Sequence, residues 1–254
     1  MRKKYLRRII LCAVLMISVL GCQLLPLEVE RTTTADQIYS FDPSTIMQSL
    51  LQGNSEVFNL LPEMTRTTPN PEYVPVTWKQ KDYLFIAEAF HEFVRNESMD
   101  TWKLNDVVFR LECKDVSFGL QLGSFTLSKI ISDRGTPYRW VRYITIDPTE
   151  NEILFTEEEY HPAGYFTGMK EWPSVDLAQV KISAEEAIQI AENAGGAKSR
   201  NDAGNNCGIF ETFDVQGKNY PNNWAITYSA HDEHFTTLFE VYVDGSTGEY
   251  KLAR

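Results

Sequence analysis

From Thr77 onward the chain carries one order of hydrophobic periods twice, and a sequence that does so has few ways to bury its apolar faces. Thr77 and Gln80 have capping-box spacing, and Tyr83, Ile86, Ala87, Phe90 and Val94 fall on one helical face, which predicts a helix ending near Asn96. Strand-like runs follow: DVVFRLEC (Asp106 to Cys113), with Val107, Phe109, Leu111 and Cys113 on one face, FGLQL (Phe118 to Leu122), FTLSKII (Phe125 to Ile131) and YRWVRYITID (Tyr138 to Asp147). The links SDRGTP and DPTEN have turn chemistry. The order then recurs. Ser183 precedes Glu186 by three residues, Ala187, Ile190, Ala191 and Ala194 form a stripe before Gly195-Gly196, and CGIFETFDV, NWAITYS and FTTLFEVYVD read as strands. The pairs Ile86-Ala87 and Ile190-Ala191 are 104 residues apart, and the strand-Asp-turn endings ITIDPTEN and VYVDGSTG are 97 apart. That register suits a duplication; the alternative is two unrelated α+β units. The expected fold class is α+β, with two tandem units over 77–176 and 177–254, each a helix on an antiparallel sheet.

The second copy carries a more specific pattern. ISAEEAIQIAENAGG, then WAITYS, then FEVYVDGSTGEY (Lys181 to Leu252 overall) resembles the PepSY domain, a capped Ala-rich helix, a strand pair and a closing strand ending in Asp-x-x-Thr-Gly-Glu. Ser183, Glu186, Ala187, Ile190, Ala191, Trp224, Val243, Asp244, Thr247, Gly248 and Glu249 carry the match; the Thr77 to Phe155 unit has Thr149-Glu150-Asn151 where Thr-Gly-Glu would stand. The resemblance implies a cystatin-like fold outside the cytoplasm, with inhibition or binding as the activity and no catalytic residues. Within that strand end, Asp244 is expected to accept backbone amides while Gly245 and Gly248 supply positive φ where the hairpin reverses, a structural turn rather than a calcium loop.

The front of the chain gives an address. Five cations (Arg2, Lys3, Lys4, Arg7, Arg8) precede an apolar run from Ile9 to Leu20, which is shorter than the roughly 20 residues needed to span a bilayer, so residues 1–21 read as an export signal. VLGC at Val19 to Cys22 resembles the lipobox of bacterial lipoproteins, which implies cleavage before Cys22, its lipidation, and localisation in the cell envelope, on the outer face of the cytoplasmic membrane or on an outer membrane. Residues 22–42 are expected to be a flexible tether, and 43–76 a short helix (Ile46, Met47, Leu50, Leu51) followed by a proline-rich loop. Without residues 1–21 the chain has 19 basic and 35 acidic residues, a balance of −16. No basic cluster follows the signal, so nucleic acid is not an expected partner.

Two cysteines remain. Cys113 and Cys207, both at strand-like positions in an oxidising compartment, suit a disulfide, the alternative being two buried thiols that never meet. HDEH (His231 to His234) reads as a solvated turn ahead of a metal site, and TEEEYH (Thr156 to His161) as a charged loop ahead of an acid-base site. No nucleophile elbow, zinc-protease helix motif, P-loop or dinucleotide fingerprint is present, and no cofactor or metal is expected. The function class that follows is a membrane-anchored binding or peptidase-regulating module that engages a protein or peptide without catalysis; the alternative is an extracytoplasmic hydrolase using a carboxylate or histidine site. The lipid address has a direct check: Cys22→Ala should leave an unprocessed precursor and abolish metabolic labelling with palmitate, and unchanged labelling would exclude Cys22 as the anchor.

Overall fold

The computed structural model describes residues 30–61, 76–133, 135–161, 171–176, 179–214 and 222–253, and Cys22 with its signal lies outside them. The fold is α+β: one large antiparallel sheet with few helices. The strands are β1 (Glu30–Thr33), β2 (Gln37–Ser40), β3 (Asn59–Leu60), β4 (Lys103–Glu112), β5 (Leu122–Asp133), β6 (Thr136–Asp147), β7 (Glu152–His161), β8 (Cys207–Asp214), β9 (Asn223–Ala230), β10 (Thr237–Asp244) and β11 (Tyr250–Leu252). The helices are α1 (Ile46–Leu51), α2 (Gln80–Arg95), α3 (Ala184–Ala191) and α4 (Ala197–Asp202). The 11 strands form a single sheet in the order β11-β10-β9-β8-β4-β5-β6-β7-β2-β3, with β1 also on β7.

Two four-strand meanders, β4 to β7 and β8 to β11, each follow a helix, and they meet through their first strands. β4 and β8 run antiparallel from Val108 opposite Thr212 to Glu112 opposite Gly208. One register step further, Cys113 and Cys207 are joined by a disulfide, with Cα atoms 5.3 Å apart. One sheet thus replaces the two separate sheets expected, because each first strand would otherwise carry an unpaired edge into the middle of the chain.

The apolar alternation of β4 and the stripe of α2 produce the first half of the core. Val107, Phe109 and Leu111 face Tyr83, Ile86, Ala87 and Phe90, all at most 1% exposed. The Tyr83 hydroxyl donates to the Leu120 carbonyl at 2.8 Å. In the second half, α3 buries Ala184, Ala187, Ile188 and Ala191 over Trp224, Ile226 and Tyr228. The two halves share one core: Phe109 of β4 lies 6.3 Å, ring to ring, from Trp224 of β9.

Several local expectations are corrected. Lys79, not Thr77, is the N-cap of α2, and its amide donates to Asp82 Oδ2 at 2.9 Å, so an acidic side chain three residues on sets the start. The helix ends where Asn96 takes a left-handed φ of 50°. Phe118 to Gln121 form no strand of their own. The expected break at Gly195-Gly196 is present: Gly195 has a non-helical φ of 139°, which kinks the chain between α3 and α4. Residues 30–40 are not tether: β1 and β2 both pair with β7.

The disulfide closes a loop of 94 residues across the strand pair that joins the halves. Its reduction, or Cys113→Ala with Cys207→Ala, should lower the unfolding free energy by about 2–5 kcal/mol in denaturant titrations. Non-reduced peptide mapping gives the independent check, and two alkylatable thiols in protein taken from the envelope would contradict the bridge.

Candidate functional site

Where the halves meet, the N-termini of α2 and α3 face each other. Gln80, the first residue of α2, accepts the Ala184 amide on Oε1 at 2.8 Å, while its own amide donates to Glu185 Oε1 at 2.5 Å. Orphan amides at one helix start are thereby satisfied by side chains from the other. The two helix starts lie 104 residues apart, the spacing already visible between Ile86 and Ile190.

Beside this clasp lies a cleft of about 440 Å³ to which both halves contribute. The approach to α2 (Thr77, Trp78, Lys79) and the β4–β5 connection (Val116 to Leu120) form one wall; Glu185, Ile188, Gln189 and Glu192, with Arg200 of α4, form the other. Trp78, Leu120 and Ile188 are nearly covered and make an apolar floor, whereas Phe118 is 47% exposed. Glu192 and Arg200 are tied down: Arg200 Nε donates to Glu192 Oε2 at 2.8 Å, and the Tyr228 hydroxyl donates to Glu192 Oε1 at 2.8 Å. Burial, reinforced by the Glu192 carboxylate, pushes the Tyr228 hydroxyl well above its usual range, so it stays a donor. An apolar floor with a fixed polar rim is recognition chemistry.

Glu211 lies under the same seam, on β8, opposite Phe109 and Ile226. It is completely buried, and neither carboxylate oxygen has a hydrogen-bond partner among the described residues. Burial first, and the Glu185 charge second, push this carboxyl well above the ordinary range, which favours its neutral form.

A second polar cluster sits under α2. Arg142 of β6 is 2% exposed in its side chain, donates from Nε to Glu157 Oε1 at 2.8 Å and from Nη1 to Glu97 Oε2 at 3.2 Å, and lies 3.9 Å over the Trp102 ring. Glu157 also pairs with Arg95, and Glu97 with Lys129 at 2.6 Å. His91 Nδ1 is 2.8 Å from the Glu97 carbonyl, which can only accept, so Nδ1 carries the proton and Nε2 accepts from Arg142 Nη1 at 2.5 Å. Burial, then the Arg142 charge, lowers His91 to about 4. Burial raises Glu97, but hydrogen bonds from Lys129 and Thr101, the neighbouring Trp102 indole and the Arg142 charge outweigh it and hold the carboxyl at about 2.

The residues singled out in the sequence fall as follows. Asp244 Oδ1 accepts the Ser246 amide at 2.9 Å and the Thr247 amide at 2.8 Å, which holds its carboxyl at about 2, through the Ser246 and Thr247 hydrogen bonds against burial. Gly248 has φ 76°, but Gly245 is not in the left-handed region; it is glycine because a Cβ would stand 2.6 Å from the Phe213 ring and 3.0 Å from the Asn222 carbonyl. Asp147 repeats the turn, accepting the Thr149 and Glu150 amides at 2.9 and 3.2 Å, and Asn151 takes the left-handed place with φ 58°. His231 Nε2 sits 2.6 Å from Glu112 Oε2, beside the disulfide, and Asp232 accepts the His234 amide at 3.1 Å. TEEEYH is not a loop but the end of β7: Glu157 is buried by the cations of α2 and β6, and Glu158 accepts from the Tyr143 and Tyr160 hydroxyls at 2.9 and 2.6 Å. Sequence reasoning missed the cleft residues and Glu211; the 104-residue spacing was the available signal for the first, and nothing marked the second.

No protein-family model matches this chain, and no curated protein is a significant relative of it. Among the described residues no helix is long and apolar enough to cross a membrane.

The titrating groups set opposite pH limits. His91 and Glu97 are depressed in the folded protein, so their stability is present above their unfolded values, roughly 6.5 and 4.5, and is lost as pH falls toward about 4 and about 2. Glu211 is raised, so its contribution is complete below roughly 4.5 and is lost as pH rises. Glu211→Gln should therefore flatten the alkaline limb of a melting-temperature profile and leave the acid limb unchanged. An unaltered alkaline limb would show that Glu211 is not the group titrating there.

Proposed function

We propose that this chain is a lipid-anchored, extracytoplasmic binding module that holds a protein or peptide in the cleft between its halves and turns nothing over. The observation that carries the reading is the cleft itself, whose apolar floor and polar rim are assembled from both halves at the helix clasp. The proposal includes two tandem cystatin-like units, PepSY-like in the second, fused along β4 and β8. Two helix-then-meander halves and the paired Asp turns at Asp147 and Asp244 support that architecture. Peptidase regulation is one form such binding takes in the family that Lys181 to Leu252 resembles. Localisation follows from the Cys22 address, and the −16 balance of the chain beyond residue 21 favours a basic partner.

Crosslinking and pull-down from envelope extracts test this against a hydrolase substrate panel. Wild type should capture a partner, with recovery falling as salt rises. Phe118→Ala with Gln189→Arg, both at the cleft, should abolish capture while leaving the melting temperature within a few degrees. Turnover of any panel substrate that is lost in His231→Ala/His234→Ala would replace the binding reading with the hydrolase one.

A further inference from the structure

A different pocket lies at the edge of β5. β4 pairs with β5 only as far as Lys103 opposite Ser128, so beyond that point no described strand occupies this side of β5. A pocket of about 270 Å³ opens there. Three of its lining residues are cations, Lys103, Lys129 and Arg139, against one carboxylate, Glu171, the reverse of a chain with 24 basic and 35 acidic residues.

Two of the polar groups lining it are more than nine-tenths buried. Arg139, 5% exposed, lies 4.1 Å over the Trp172 ring, which occupies the face of the guanidinium and leaves hydrogen bonding to its edge. Ser128, 4% exposed, shares that face of the sheet, and its hydroxyl has no hydrogen-bond partner among the described residues. The Ser128 hydroxyl opens on the pocket and is available to a ligand. Glu171 shows which group the cations accept: its carboxylate pairs with Lys103 in an ion pair whose side chains are 63% and 49% exposed, so it is readily exchanged. Ile130 and Trp172 add an apolar wall that a bare inorganic oxyanion would not fill.

We propose that this pocket binds the carboxylate of a small organic ligand with a short apolar body, on Arg139, Lys103 and Ser128, by displacing Glu171. A peptide chain end and a free organic acid share that chemistry. The chain end has an additional partner, since its backbone can pair with the edge of β5 that no described strand occupies. The proposal does not depend on the seam cleft, and capture of a partner there would be unaffected by its failure.

Calorimetry with the full-length protein tests it, using acetyl-Ala-Ala-Leu with a free carboxylate, the same peptide as its C-terminal amide, 4-methylpentanoate and inorganic phosphate. The free-acid peptide should bind at least about tenfold more tightly than the amide, as the loss of charge-assisted hydrogen bonds dictates. Lys103→Gln should weaken binding several-fold. Glu171→Gln should strengthen it, because the internal competitor is gone, an outcome that a merely structural role for this ion pair would not give. Binding of 4-methylpentanoate equal to the peptide assigns free organic acids as the source; weaker binding assigns chain ends. Equal binding of acid and amide, preference for phosphate, no binding at millimolar ligand, or no gain in Glu171→Gln would each overturn the proposal.

Discussion

The antiparallel pairing of β4 with β8 is the constraint on which the other features depend. A four-strand meander with one helix leaves a first strand whose N–H and C=O groups face open solvent, an invitation to aggregation. Joining two such strands head to tail removes both edges and makes one sheet and one core, with Phe109 against Trp224 across the join. The same pairing brings two helix N-termini together, each carrying roughly +0.5 of an elementary charge. Glu185 placed on the Gln80 amide, and the Gln80 side chain placed on the Ala184 amide, answer that repulsion. The cleft lies beside that meeting point, between the approach to α2 and α3.

The charge buried under α2 follows a different logic. Arg142 beneath a helix would be costly alone, since breaking one partner of a buried pair costs about 3–5 kcal/mol. Here a neutral His91, two carboxylates and the face of Trp102 surround it. The cluster fastens the loop after α2, through Glu97, to the centre of the first meander. Among the described residues no hydrogen bond or ion pair joins it to the seam cleft lining, so it holds α2 on β6 and β7 rather than shaping that cleft.

What could be read from the sequence depended on whether a signal was local. The stripe of α2 was legible because Tyr83, Ile86, Ala87 and Phe90 repeat at helical spacing, and the end of the helix because Asn96 tolerates a left-handed φ. The Asp244 turn was legible because its hydrogen bonds reach only two and three residues along. Glu157 and Glu158 were misread as solvated because Arg142, Arg95 and Tyr143 come from other elements, although Tyr160 stands two residues along the same strand. Glu211 looked like an ordinary strand glutamate in CGIFETFDV, since alternation alone puts it on the apolar face and gives no reason to expect a charge there. The cleft needed both halves placed, which only the β4 to β8 register provides.

Placing β1 and β2 in the sheet changes what a lipid on Cys22 would permit. Between Cys22 and Glu30 there are eight residue steps, and covalent geometry limits their span to about 28 Å. The anchored end of the sheet is then the β7 end, where β1 and β2 pair. At about 4.8 Å per strand, the seam strand β8 is four spacings from β7, roughly 19 Å, and the β11 edge is seven, roughly 34 Å. In the lipid-anchored reading the tether and the sheet spacing together keep the seam within roughly 50 Å of Cys22. A tether of residues 22–42 would let the cleft sweep a wider radius; with β1 and β2 held on β7, the bound on that radius is smaller.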